Sequence, residues 1–224
     1  MLMFLFACTI ETGSGVSATE TRELETFSAI NNTTQVAVTW AAAEEQSAAL
    51  TCDDNLLGVF RTTVDDGVLT LDTPNGVLAQ PQVDCVLALE GDCLWGIDVS
   101  GSGDVSAGPS GCLLSSLESS GSGRITVSGA QSDALSVSLS GSGGAEVDGS
   151  VGEIELRVSG SGGLAGRDLL AADAAVRMSS SADVHLSVSA SLEADLSGSG
   201  SLHVYGDPQS RSVEATGSGE VRYR

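Results

Sequence analysis

The chain has 224 residues, a formal charge of −21 at pH 7 and nine arginines with no lysine. Such a surface offers nothing to neutralise phosphates, which makes nucleic acid and acidic membranes poor partners. A length of 224 residues allows one or two domains, and the repeat described below leaves room for one elongated body.

Met1 to Cys8 is apolar and ends in Leu5-Phe6-Ala7-Cys8, which resembles a bacterial lipobox with Cys8 as the lipidated residue. No basic residue precedes it and the apolar run is short for an export signal, so the true start is expected upstream; the alternative is an apolar tail on a cytosolic protein. Residues 1–26 are then a signal remnant followed by a polar tether, and residues 27–224 a single domain. Within it, residues 27–80 are expected to form irregular capping coils. Val36, Val38 and Trp40 alternate, a second apolar stretch surrounds Leu50 and Cys52, and Asp66-Gly67 is a turn signal before Val68-Leu69-Thr70-Leu71.

From residue 81 onward the chain repeats. Ser-Gly-Ser-Gly starts at Ser100, Ser120, Ser140, Ser159, Ser179 (as Ser-Ser-Ser-Ala), Ser197 and, with Thr first, Thr216. Steps of 18 to 20 residues are a repeat architecture, where a flexible linker would show no fixed period. Mostly apolar residues recur one, three and five positions before the starts and five after them, as in Trp95, Ile97, Val99 and Val105 of the first copy and Leu135, Val137, Leu139 and Ala145 of the third, with Ser115, Ser119 and Arg211 as exceptions. Period-two alternation on both sides of the motif predicts strands with one buried face. A second polar segment in several repeats, such as Ser128 to Asp133, supplies a second corner. Two corners in about 19 residues bring the chain back one strand spacing along an axis, which makes an all-β fold of stacked coils. A single coil buries too little to offset its ordering entropy, so stacking must supply the difference. Gly121 and Gly123 fall on the inward parity, and Ser180 and Ala182 replace the same pair in the fifth copy. Small volume, more than positive φ, is therefore the expected requirement, and Gly121→Ala is expected to be tolerated.

Asn55-Leu56-Leu57, the run from Val64 to Leu71 and the Ser-Gly-Ser-Gly coils behind a lipobox together resemble the head GIN domain family of autotransporter adhesins, over residues 27–224. The resemblance implies an exported bacterial envelope protein built as a right-handed parallel β-helix, and it carries over no catalytic residue.

Four cysteines remain beside Cys8, an even set in an exported chain. Cys93 and Cys112 lie near the same corner of successive coils, which favours their pairing and leaves Cys52 with Cys85; the alternative for Cys85 is a small buried hydrophobe. His185 and His203 share an outward column with Asp183 nearby. They are weak metal candidates because no further ligand is evident, and solvated surface histidines are the simpler reading. No cofactor is expected. Ser102, Ser122, Ser142, Ser161, Ser181, Ser199 and Ser218 form an outward row at the strand spacing, which offers a binding face for an extended surface ligand, a polysaccharide or another envelope protein. A polar face that keeps the solenoid soluble is the alternative. The expected function is a non-enzymatic envelope adhesin or binding scaffold, lipid-anchored in the outer membrane or exported. Its rivals are a carbohydrate-active β-helix enzyme, a lyase or hydrolase, and a structural or envelope-stress component without ligand. Short uniform coils and the lack of lysine speak against the enzyme.

Overall fold

The computed structural model describes residues 9–224, so the lipidation site expected at Cys8 lies outside the described residues. The protein is an all-β solenoid of about six turns in which successive coils pair in parallel. The first nine strands build the N-terminal end: β1 (Thr9–Thr12), β2 (Ser17–Thr21), β3 (Ala29–Asn32), β4 (Ala37–Ala42), β5 (Ser47–Asp53), β6 (Arg61–Asp65), β7 (Val68–Asp72), β8 (Val77–Gln80) and β9 (Val86–Gly91). The coils continue with β10 (Gly96–Val99), β11 (Val105–Ala107), β12 (Ser116–Ser119), β13 (Ile125–Leu139), β14 (Ala145–Val158), β15 (Leu164–Met178), β16 (Val184–Leu196), β17 (Leu202–Tyr205), β18 (Ser210–Ala215) and β19 (Val221–Tyr223).

Like residues lie over like. Val105, Ile125, Ala145 and Leu164 are rungs of one buried column, and Ile97, Leu117, Val137, Leu156, Val176 and Ala194 form another. Their side chains fill the interior. From β13 on, the second corner is a bend inside a long strand, where the register shifts between Val127 and Ala130 and Gly129 adopts φ +66°. A bulge of this kind turns the strand while most of the ladder survives.

The Ser-Gly-Ser-Gly corner is held by paired amides. Ser122 and Gly123 both donate to the Gly101 carbonyl, at 3.0 and 3.2 Å; Ser142 and Gly143 do the same to Gly121, and Ser161 and Gly162 to Gly141. Two amides on one carbonyl draw the backbones together. A Cβ added to Gly121 would lie 2.0 Å from the Gly101 oxygen, and neither Gly121 nor Gly123 has positive φ. Small volume is thus the requirement, but the expectation that alanine fits is corrected, because the clash is with the Cβ itself. The fifth copy shows what a side chain does there. Bonds from Ser181 and Ala182 to Gly160 are absent among the described residues, and the Ala182 amide turns instead to the Ser180 hydroxyl at 3.3 Å.

Three other readings change. Residues 9–21, expected within a polar tether, form β1 and β2, which pair with β8 and with β5. Residues 27–80 are not all irregular: β3 and β4 are a regular coil, in register with β10 and β11, and Asn32-Thr33-Thr34-Gln35 is its corner. The Asn32 carbonyl accepts from Ser100 and Gly101, and its side-chain amide donates to Val36 O at 2.8 Å. The chain between β4 and β10 is an insertion that folds over this coil. Finally, Trp95 is 40% exposed, while Leu94 and Leu114 are fully buried in its stead. The shift occurs beside the corner that Cys93 and Cys112 bridge.

Gly121→Ala should lower stability by the ~1–3 kcal/mol typical of overpacking, seen as a reduced thermal midpoint. In the wild-type protein, amide hydrogen exchange at Ser181 and Ala182 should be faster than at Ser161 and Gly162; equal rates would show that the fifth corner is as tightly held as the others.

Candidate functional site

The seven outward serines, Ser102, Ser122, Ser142, Ser161, Ser181, Ser199 and Ser218, are all exposed. The backbone rungs beneath them set the spacing, at about 4.8 Å per coil. Each serine stands outward because the residues on either side, Gly121 and Gly123 in the second copy, face the preceding coil.

A second outward column runs through Asn31, Asp98, Glu118, Ser138, Arg157, Arg177, Asp195 and Glu214. Its two arginines share Glu155: Arg157 pairs with it directly and Arg177 Nη1 lies 3.2 Å from the same Oε1. These pairs are half exposed and each contributes little. Toward the N-terminal end the column holds acid without base. Burial, and next the neighbouring Glu118 charge, raise the Asp98 pKa above its ordinary 3.8.

The two histidines are stacked, with ring centroids 4.5 Å apart and planes within 4°. Parallel rings direct their nitrogen lone pairs alongside one another, which is a poor way to converge on one metal. Nδ1 of His185 is 3.1 Å from the Tyr205 hydroxyl, and the Arg167 guanidinium lies 5.0 Å over the Tyr205 ring. Asp183 is engaged elsewhere, accepting the Ser201 amide at 3.0 Å. His203 has its pKa lowered from 6.5, chiefly by burial and then by the His185 and Arg224 charges, with Asp183 acting in the opposite direction.

Cys93 and Cys112 are joined by a disulfide with Cα atoms 5.2 Å apart, and Cys52 and Cys85 by another at 4.3 Å. Asp53 sits beside the second pair. Its sulfur neighbours are bonded to each other, so the Cys52-Asp53-Cys85 group offers no thiolate to a metal. What Asp53 does is hold the cap. Fully buried, it accepts the amide of Gly15 at 2.7 Å on one oxygen, and on the other those of Gln82 at 2.9 Å and Val83 at 3.3 Å. Burial pushes its pKa up, but the donors from Gln82, Gly15 and Val83 together outweigh it and the net shift is downward. Asn55 completes the clasp: its amide donates to Thr12 O at 2.9 Å, and its oxygen accepts from Ser14 at 2.8 Å. Sequence reasoning missed both roles, although the unbroken Cys-Asp-Asp-Asn run before a buried Leu56 was the available signal.

With the solenoid, its cap and its outward columns described, comparison with known proteins decides the family. The sequence matches the family described as "Putative auto-transporter adhesin, head GIN domain" over residues 26–208. The chain belongs to the head GIN domain family. Among solved structures, a "putative adhesin" of Bacteroides fragilis is similar with a TM-score of 0.88 at 20% identity, covering 95% of this chain and 99% of that one. A "putative lipid binding protein" of Parabacteroides distasonis is similar with a TM-score of 0.73 at 22% identity and the same coverage. A "putative adhesin" of Parabacteroides merdae reaches 0.68 at 16% identity, covering 95% and 99%. At these identities the likeness shows the shared fold. No curated protein matches the sequence.

Two titrations follow from the geometry. Because the folded pKa of Asp53 is depressed, its stabilisation is complete above 3.8 and is lost as pH falls through the lowered folded value. The thermal midpoint of the wild type should fall across that acid window, and Asp53→Asn should both lower the midpoint at pH 7 and flatten the acid limb. For His203 the protonated form is disfavoured in the fold, so its contribution is intact above 6.5 and declines as pH drops below it. An NMR titration should place the His203 midpoint under 6.5; a midpoint at or above 6.5 contradicts the stacked geometry.

Proposed function

We propose that this head GIN domain protein is a non-catalytic binding scaffold of the bacterial cell envelope, an adhesin in kind. It meets an extended polymer, polypeptide or polysaccharide, along the outward face of its coils. The observation that carries the reading is the row of exposed serines, one per coil, over an interior filled by apolar side chains. A packed solenoid has no internal cavity for a substrate, and a ligand must approach the ladder from outside. Hydroxyls repeated at the strand spacing suit a ligand that itself repeats, since each rung donates and accepts in the same orientation.

The family description supports an envelope setting, and attachment through a lipid on Cys8 is the proposed means. The two disulfides are in keeping with export, because such bonds persist in oxidising compartments. The rival, a polysaccharide lyase or hydrolase, needs catalytic carboxylates poised across a substrate cleft. Here Asp98 and Glu118 are neighbours in one column, and the groove beside them is open and shallow.

Replacing Ser122, Ser142 and Ser161 together with Glu would place three like charges on adjacent coils of the row. The triple variant, shown to be folded by its β-sheet circular dichroism and thermal midpoint, should lose binding to cells or to arrayed glycans and proteins that the wild type binds. Unchanged affinity would remove the serine row as the binding surface. Turnover of polysaccharides by the wild type would instead favour the enzymatic reading.

A further inference from the structure

The outward surface of the second coil differs from that of its neighbours at Gly96. The same outward rung carries Ser116, Ser136, Glu155, Ala175, Glu193 and Ser212 on the coils that follow. Crowding does not demand a glycine here. An added Cβ would sit 3.7 Å from the Ala29 Cβ and 3.8 Å from the Ser116 carbonyl, which is ordinary contact, and φ is not positive. What the missing side chain leaves is room. A shallow groove of about 200 Å³ runs over Gly96 and Ala29, bordered by Trp95 and Val68 on its apolar side and by Asn31, Asp98, Ser116 and Glu118 on its polar side.

The lining has an unusual chemistry. Trp95 is 40% exposed, whereas Trp40, the other indole, is 3% exposed. Asn31, Asp98 and Glu118 stand on three successive coils of one column, spaced about 4.8 Å apart. The Asn31 Oδ1 is enclosed and has no hydrogen-bond partner. Asp98 and Glu118 face no arginine in their column: the next rung is Ser138, and the arginines beyond it are taken by Glu155. Asp98 and Glu118 present anionic acceptors, and the Trp95 indole borders the same groove. The mutual cost of the acid pair is visible in the raised pKa of Asp98, whose causes are burial and then Glu118.

We propose that this groove is a docking site for an arginine side chain of a partner protein, with the guanidinium lying against Trp95 and donating to Asp98 and Glu118. A guanidinium is planar, carries five donors in fixed directions, stacks on aromatic faces and pairs with carboxylates, so it answers the acid pair and the indole at once. An ammonium would place one compact charge on the acid pair and leave the ring with only its stem. A neutral sugar would stack on Trp95 but leave both carboxylates uncompensated. The net charge of −21 steers a basic partner toward the surface as a whole, and the groove gives that attraction a point of register. The proposal rests on the reading of the protein as a binding scaffold and names the chemistry of the partner it takes.

Because Trp95 is exposed and Trp40 is buried, indole fluorescence of the full chain reports occupancy of the groove. The probe is acetyl-Gly-Arg-Gly-amide, compared with the same peptide carrying citrulline, which keeps the shape and loses the charge, and with a neutral gluco-oligosaccharide. The arginine peptide should give a saturable change in the millimolar range, weakened by added salt, and the citrulline peptide should bind at least tenfold more weakly. Gly96→Leu, which fills the groove without touching its charges, should abolish the response, and the Asp98→Asn, Glu118→Gln pair should weaken it at least tenfold. Equal binding of arginine and citrulline, a sugar response indifferent to the paired carboxylate variant, or no response to any probe would overturn the proposal. Adhesion separates this from the wider reading. If the wild type adheres to cells and Gly96→Leu adheres equally, the groove is not the docking site although the scaffold function stands; if the wild type binds the peptide but adheres to nothing, the groove stands and the adhesin reading falls.

Discussion

The structure depends on how closely one coil can approach the next at the Ser-Gly-Ser-Gly corner. Two amides converge there on a single carbonyl of the preceding coil, and a Cβ added to Gly121, Gly141 or Gly160 would fall at about 2 Å from a backbone oxygen. Hydrogen bonding and volume are therefore one constraint. Glycine is required because the bonds are made, and the bonds are made because nothing stands between the backbones. Once the corner is fixed, parity follows: the serines between the glycines must face outward, and the strands on either side must present Val, Leu and Ile inward. Where Ser180 breaks the rule, its hydroxyl takes up an amide that the preceding coil no longer satisfies, as a buried donor must find some acceptor.

A solenoid of identical coils has an end to protect. At the N-terminal side the insertion between β4 and β10 does this, folding antiparallel pairs against the first coil, β5 with both β2 and β9 and β6 with β7. The cap carries the parallel ladder one rung further, β7 on β3 and β9 on β4, and its remaining connections are made by specific groups. Asp53 gathers three amides from two distant segments, Asn55 ties the first strand, and the disulfide between Cys52 and Cys85 joins β5 to the segment that leads into β9. A buried carboxylate satisfied this way stays ionised in spite of its burial.

The outward columns carry the charge, and they are not uniform. In the middle of the solenoid Arg157 and Arg177 converge on Glu155, whereas near the cap Asp98 and Glu118 stand together without a base. Repetition makes most of the surface a ladder of similar rungs. The second coil interrupts it, with a glycine where other coils have side chains and a tryptophan turned to solvent.

The sequence by itself determined the period, the parity and the family. Those are local facts: apolar residues spaced by two, corners every 18 to 20 residues, and the Asn55-Leu56-Leu57 and Asp66-Gly67 segments, whose turn takes φ values of 48° at Asp66 and 76° at Gly67. The exposed serine row could be read in the same way, because its register is fixed within each repeat. What the sequence did not display were contacts between segments far apart. The corner at Asn32 has no Ser-Gly signature, and its coil pairs with one more than sixty residues away, beyond the insertion, so only the tertiary structure shows that they adjoin. Strands β1 and β2 look like a tether until their partners in β8 and β5 are in place. The inward and outward sides of Trp95 and Leu94 exchange at a corner where strict alternation stops, and alternation was the sole guide to facing. The intolerance of Gly121 to a single methyl is a distance between two coils, and residue identity carries no record of how near the neighbouring backbone will come.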